Sequence, residues 1–201
     1  MKTKVTIWYL EICDPADLRP RRVDDTDVRV VQACAASPEF SRYLYTAVGA
    51  DLYWTEREHW SYGRWLNFLE KAGVETWVLW ERGTPAGYAE LVRQEDGSAK
   101  ITYFGLLPQF VGRGYGGHLL TCAIERGFEL GNGRVWVHTC SLDTPPALPN
   151  YQARGMRIFR ERTFQRDLPE PPPEPWPGAR RPGHHPRQRV KRRWFDLGRG
   201  G

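Results

Sequence analysis

The stretch Leu106–Leu120, LLPQFVGRGYGGHLL, places Gly112, Gly114, Gly116 and Gly117 within six positions. It follows the apolar run AKITYFG. It precedes residues at helical spacing, Leu119, Leu120, Ala123, Ile124, Gly127 and Phe128, which Gly131 ends. Each glycine costs backbone entropy, so four together imply that something approaches the main chain closely. The first N–H groups of a helix lack intrahelical acceptors and carry partial positive charge. A strand, a bare turn and a helix start therefore predict a site for a phosphate-bearing ligand, and Arg113 adds a full positive charge beside it.

Two nucleotide motifs can be weighed against this turn. A P-loop requires a lysine after the last glycine, and the chain has His118-Leu119-Leu120 there. A dinucleotide fingerprint is formally present as Gly112-x-Gly114-x-x-Gly117. That motif belongs at a first strand-to-helix turn with a carboxylate at the end of the next strand. Here about 100 residues come first, and the next strand, RVWVHTC, ends without an acid in place.

Working outward, the body alternates strand and helix patterns. Residues 4–12 and 28–33 read as strands, and 38–48 and 56–70 as helices, the first opened by Ser37-Pro38. A meander follows, VETWVLWE, AGYAELVRQ and AKITYFGLL, with hairpin turns at Arg82-Gly83 and Asp96-Gly97. After the glycine turn and its helix come the strand RVWVHTC, the short helix PALPNYQARG and the closing strand MRIFRERTF.

This order of segments resembles the GNAT superfamily of acyl-CoA-dependent N-acyltransferases, over about residues 75–160. Its signature is a central strand, a proline, then R/Q-x-x-G-x-G/A opening a helix. LLPQFVGRGYGGHLL is similar to it, with Val111 at the usual Arg/Gln position and Gly114 and Gly116 on the motif glycines. ALPNYQARGM resembles the A-x-x-x-Y-x-x-x-G-F segment, with Met156 for Phe and Thr144, beside Asp143, where the family has Asn. The resemblance implies an α/β (α+β) fold over residues 1–165: a mixed, mostly antiparallel sheet splayed between two central parallel strands and flanked by helices. A Pro/Arg-rich flexible tail, residues 166–201, would follow.

It also implies acetyl-CoA as acyl donor and a primary amine as acceptor, which this reading takes to be that of a small molecule. The donor would lie along Val111, Gly112, Arg113, Gly114, Tyr115, Gly116 and Gly117, with its pantetheine against Leu106 and Leu107. Leu106 N–H would stabilise the oxyanion, and Gly105 would supply a local bulge. Tyr151 would contact the donor near its sulfur and protonate the thiolate. For the base, Glu90, His138 and a water relay remain open. Arg42, Tyr45, Trp54 and Trp65, with Glu90 and His138, are the acceptor-side candidates. A rival chemistry, a Cys140 nucleophile with His138 as base, and a catalytically silent CoA-binding module of the same fold are the alternatives.

Bulk properties narrow the class. The chain has 201 residues, 40% of them hydrophobic, enough for a core. No apolar run approaches the roughly 20 residues of a membrane span, and the first residues are too short a core for a signal peptide. Cys13, Cys34, Cys122 and Cys140 are scattered without a CxxC pair, so reduced thiols, no metal and a cytoplasmic location are expected. From Arg166 onward there are nine Arg or Lys and four Asp or Glu, so the net charge of +5 belongs to the tail. Within the tail, RQRVKRR at 187–193 is a candidate for nucleic acid or another anionic surface, and Trp194 and Phe195 for docking. A homodimer is left open.

Overall fold

The computed structural model describes residues 2–169 and 173–179. The basic stretch 187–193 and Trp194–Phe195 lie outside them. Among the described residues the chain forms seven strands and four α-helices in the order β1 (Lys2–Ile12), β2 (Val28–Gln32), α1 (Pro38–Gly49), α2 (Tyr62–Leu69), β3 (Val74–Glu81), β4 (Thr84–Arg93), β5 (Ala99–Leu106), α3 (Tyr115–Leu130), β6 (Val135–Cys140), α4 (Ala147–Ala153) and β7 (Arg157–Asp167). The strands make one sheet in the order β2-β3-β4-β5-β6-β1-β7. Every neighbouring pair is antiparallel except β5 and β6, which run parallel.

Local chemistry sets most boundaries. Ser37 caps α1 through its side chain, which accepts from the Phe40 N–H, and Pro38 follows at the first helical position. At the β3–β4 hairpin, Arg82 and Gly83 have φ of 48° and 76°, the pair of left-handed residues that a tight two-residue turn demands. The helix expected over 56–70 is shorter, because Ser61 caps it and α2 begins only at Tyr62. Residues 55–60 instead turn so that Arg57 can drop into the protein. β7 continues to Asp167 and Leu168 is buried, so the break expected after residue 165 falls inside the last strand.

The sheet is covered on both faces. Leu119, Leu120 and Ile124 of α3 pack with Leu91, Ile101 and Val137, while Leu44 and Val48 of α1 join the same continuous core from the other helical layer. Burying each such side chain is worth about 1.5–3 kcal/mol. Gly105 has a different purpose from the expected bulge. A Cβ there would sit 2.5 Å from Val48 Cγ1, so its bareness lets α1 close on β5. The bulge is at Thr102: Glu90 pairs with Tyr103 but Leu91 pairs with Ile101.

Candidate active site

The parallel pairing of β5 and β6 covers only Ala99↔Val135, Lys100↔Trp136 and Ile101↔Val137. Beyond it the two strands part, and the sheet opens as a V between Thr102–Leu106 and His138–Cys140. On its other side β5 stays bonded to β4, and Leu107 N–H donates to Ala86 O at 2.9 Å. Antiparallel strands alternate their bonding direction, so the N–H of Leu106, one residue earlier, points away from β4 into the opening. Leu107 packs its side chain in the core and its N–H is already taken, so it does not line the cavity.

The glycine turn closes this end of the opening. Gly112 and Gly114 have φ of 91° and 84°, which other residues adopt only with strain. Gly114 caps α3 without any side-chain bond, leaving the N–H groups of the first turn unengaged within the helix. At Gly116 a Cβ would meet only ordinary contacts, so the surface there is open. Val111 is partly exposed at the turn's entry, and Tyr115 is buried, so Tyr115 offers its backbone alone.

Arg113 departs from expectation. Its guanidinium forms a two-pronged ion pair with Glu81 and lies 4.9 Å over the Tyr115 ring, so its charge is neutralised by the β3–β4 hairpin. The cationic side chains that do flank the turn are Arg21 and Arg154, which crowd the Gly117 position from the loop after β1 and from the end of α4. Neither forms an ion pair among the described residues, and the buried Arg154 Nε has no hydrogen-bond partner. Burial and the neighbouring Arg21 both push the Arg154 pKa down, as expected where two guanidiniums share a space without an anion. The signal for Arg21 was the basic cluster LRPRR; nothing local marks Arg154.

Inside the V lies a cavity of about 310 Å³. His138 and Tyr151 both line it, on opposite sides of the split, and so does Trp54. The His138 side chain is solvent-exposed overall, while protein crowds its imidazole, the Tyr9 ring lying 5.9 Å away. Burial, and then the charge of Lys100, lower its pKa to about 4, so it is neutral at pH 7. Tyr151 is buried, and burial with Asp143 nearby pushes its pKa far up, so it holds its proton. Asp143 turns inward, accepting from Thr139 Oγ1 at 2.5 Å and Cys140 N–H at 3.0 Å. Burial and Asp143 push the Cys140 thiol up to about 11, which leaves it protonated and weakens the thiolate-nucleophile alternative.

Four expected positions fall elsewhere. Glu90 is buried, and both its oxygens accept from the Arg57 guanidinium at 2.7 Å. Burial raises its pKa and Arg57 opposes the rise. Arginine keeps its proton, so the pair is ionised, and Glu90 has no free oxygen for an incoming amine. Tyr45 is buried and its hydroxyl accepts from Arg57 N–H. Trp65 is core, tilted against Trp60 and edge-on to Tyr45. Arg42 is exposed on α1, facing an outer groove beside Pro175. Glu90, Tyr45 and Trp65 brace the wall beside the cavity rather than line it, and Arg42 lies away from it. Arg57 sits 4.3–4.5 Å from the Trp60, Phe68 and Tyr103 rings, and this cage ties the 53–60 loop, with Trp54 and Glu56, over the cavity. Glu56, Lys100 and Arg166, which sequence reasoning missed, are the charged side chains that line it there. Among the described residues no cluster of His, Cys, Asp or Glu could hold a metal, and no helix is long and apolar enough to cross a membrane.

A sheet split between two parallel strands, beside a bare helix start, defines a recognisable class of fold. Comparison with known proteins names it. Residues 36–156 match the family model described as Acetyltransferase (GNAT) family, and the chain belongs to that family. Solved structures agree in fold. A GCN5-related N-acetyltransferase from Sphaerobacter thermophilus is 18% identical with a TM-score of 0.61, over 80% of this chain and 50% of that one. One from Kribbella flavida is 19% identical with a TM-score of 0.58, over 82% and 58%. A putative GNAT acetyltransferase from Novosphingobium aromaticivorans is 18% identical with a TM-score of 0.53, over 80% and 63%. The chain thus spans between half and about two thirds of the length of these relatives. No curated protein matches it.

Proposed function

We propose that the protein transfers an acetyl group from acetyl-CoA directly to a primary amine of a small molecule. The observation that carries this reading is the split sheet: the Leu106 N–H faces an opening whose walls bring a neutral imidazole and a protonated phenol to one cavity. The residues present suit the donor. Diphosphate oxygens fit the unengaged amides of Gly112–Gly117, and Arg21 and Arg154, short of an anion, would take phosphate charge. The donor supplies a thioester, whose carbonyl carbon is the electrophile.

The chain's own groups divide the remaining work. An alkylammonium has a pKa of about 10 and must lose a proton before it attacks. That proton leaves to solvent, and His138, kept neutral by burial and by Lys100, takes the second one, which becomes acidic only as the C–N bond forms. Leu106 N–H is placed for the carbonyl oxygen as negative charge develops on it. As the C–N bond forms and the C–S bond breaks, Tyr151 gives its proton to the departing sulfur, and the proton that His138 has taken from the nitrogen passes through solvent to restore the phenol. Trp54 and the loop fixed by Arg57 hold the acceptor beside the thioester, and such positioning is worth several kcal/mol.

The test is thiol release from acetyl-CoA over a panel of primary amines, with calorimetry of CoA binding alongside. Binding with amine-dependent thiol release supports the reading. Binding without turnover on any amine assigns the fold to a silent CoA module, and no binding removes the reading altogether.

A further inference from the structure

Four charged side chains in the cavity have no ion-pair partner among the described residues, Lys100, Arg166, Glu56 and Asp143, and of these Asp143 is engaged by Thr139 Oγ1 and Cys140 N–H. Arg166 spends one N–H on Thr55 Oγ1, and Glu56 accepts only a long bond from the Tyr45 hydroxyl. Lys100 is the more unusual. It stands at the apex of the V, half-buried, with the Trp136 ring 4.7 Å from its Nζ and no hydrogen bond. The charges nearest it belong to the Arg57–Glu90 pair, and that pair is internally neutral. Nearby Thr102 Oγ1, on the bulge, is buried with no partner. A half-buried ammonium without a counter-charge is costly to keep unless something anionic joins it.

We infer that the acyl acceptor carries a carboxylate besides its amine, and that Lys100 receives that carboxylate. The inference rests on the acyl-transfer reading and adds the acceptor's class. The acceptor's two ends find separate partners: the carboxylate meets Lys100, with the Thr102 hydroxyl as a further donor, while the ammonium is drawn to Glu56, beside His138. Because all four side chains line one cavity of about 310 Å³, at the small end of ligand sites, the acceptor is a free amino acid or a short amino-carboxylate. No glycine-rich turn or helix start faces Lys100, so the site lacks the converging amides a phosphate would call for. Arg166 sits at the strand β7 side of the cavity, away from the apex.

Matched pairs test this: 4-aminobutyrate against propylamine, phenylalanine against phenethylamine, and tryptophan against tryptamine, in the thiol-release assay. The carboxylated member of at least one pair should show kcat/KM ten or more times that of its partner. In Lys100→Met that advantage should vanish through KM, while Lys100→Arg keeps part of it and Arg166→Met keeps all of it. CoA affinity by calorimetry reports that each variant is folded. Equal or better use of the amines without carboxylate overturns the inference, as does an advantage that survives Lys100→Met or disappears only in Arg166→Met. If CoA binds but no amine releases thiol, the transfer reading has failed. Calorimetry of the same pairs on CoA-loaded protein then decides the acceptor class: Lys100-dependent binding of the carboxylated member upholds it, and no such binding overturns it. Failure to bind CoA at all is a failure of the donor site, seen before any acceptor is added.

Discussion

Gly116→Asp separates a ligand-binding turn from a merely structural one, because the two readings predict opposite signs. Gly116 is the second residue of α3, and a Cβ there would lie 3.7 Å from Asn150 Nδ2 and 3.8 Å from Leu106 Cδ1, both ordinary contacts. Replacing a helical glycine recovers a few tenths of a kcal/mol, and a carboxylate in the first turn adds about 0.3–1 kcal/mol by opposing the helix dipole. The folded protein should therefore gain about 0.5–1 kcal/mol, or about 2 °C in Tm for a chain of this size. A bound diphosphate would meet the new charge at about 4 Å, where two unit charges repel by about 4 kcal/mol at an effective dielectric of 20. Solvent at this open turn removes about half of that, and the remaining ~2 kcal/mol weakens CoA binding about thirtyfold. Thermal denaturation and calorimetry on one preparation read both numbers. A raised Tm with unchanged CoA affinity would refute the placement of the diphosphate, since the fold would be intact and the charge unfelt.

Other outcomes follow from the same geometry. Tyr151→Phe should lower kcat by about 10²-fold or more, the range of a lost general acid, while leaving CoA affinity near wild type. His138→Gln should cut kcat/KM, and it should also change acid stability. The folded His138 pKa of about 4 lies below the ordinary 6.5, so the unfolded chain binds the extra proton between those values and wild-type stability falls as pH drops from about 6.5 to about 4. That share of the loss should be missing from the denaturant midpoints of His138→Gln measured across the same window. Arg57→Leu or Glu90→Leu alone should cost about 3–5 kcal/mol by stranding a buried charge. The double replacement should restore most of that in urea melts yet keep a raised acceptor KM, because the 53–60 loop has lost its anchor.

What could be read from the chain and what could not divides along the split in the sheet. The donor side is built from backbone, and backbone geometry is local. Gly112 and Gly114 announce left-handed positions, Pro108 ends β5, and the spacing after Gly117 announces α3, all within fifteen residues. The hairpins and the cap at Ser37 were legible for the same reason. The acceptor side is built from side chains whose meaning depends on partners far along the chain. Glu90 among apolar neighbours looked like a base until Arg57, from a loop that read as helix, supplied both of its bonds. Tyr45 and Trp65 share the aromatic character of Trp54, and only packing shows that the first two are core. Nothing in the sequence around Lys100 marks it beyond its place at the start of a strand. It becomes a cavity-lining residue because pairing with β6 stops one residue later, and no feature within β5 itself foretells that stop. The consequence is physical as well as practical. A shared donor can be held by the same amides in every member of a fold, whereas each acceptor needs its own constellation of charges on the other side of the split. Chains of about 18% identity can therefore keep the first and differ in the second, and the fold of a relative carries no information about what Lys100 meets.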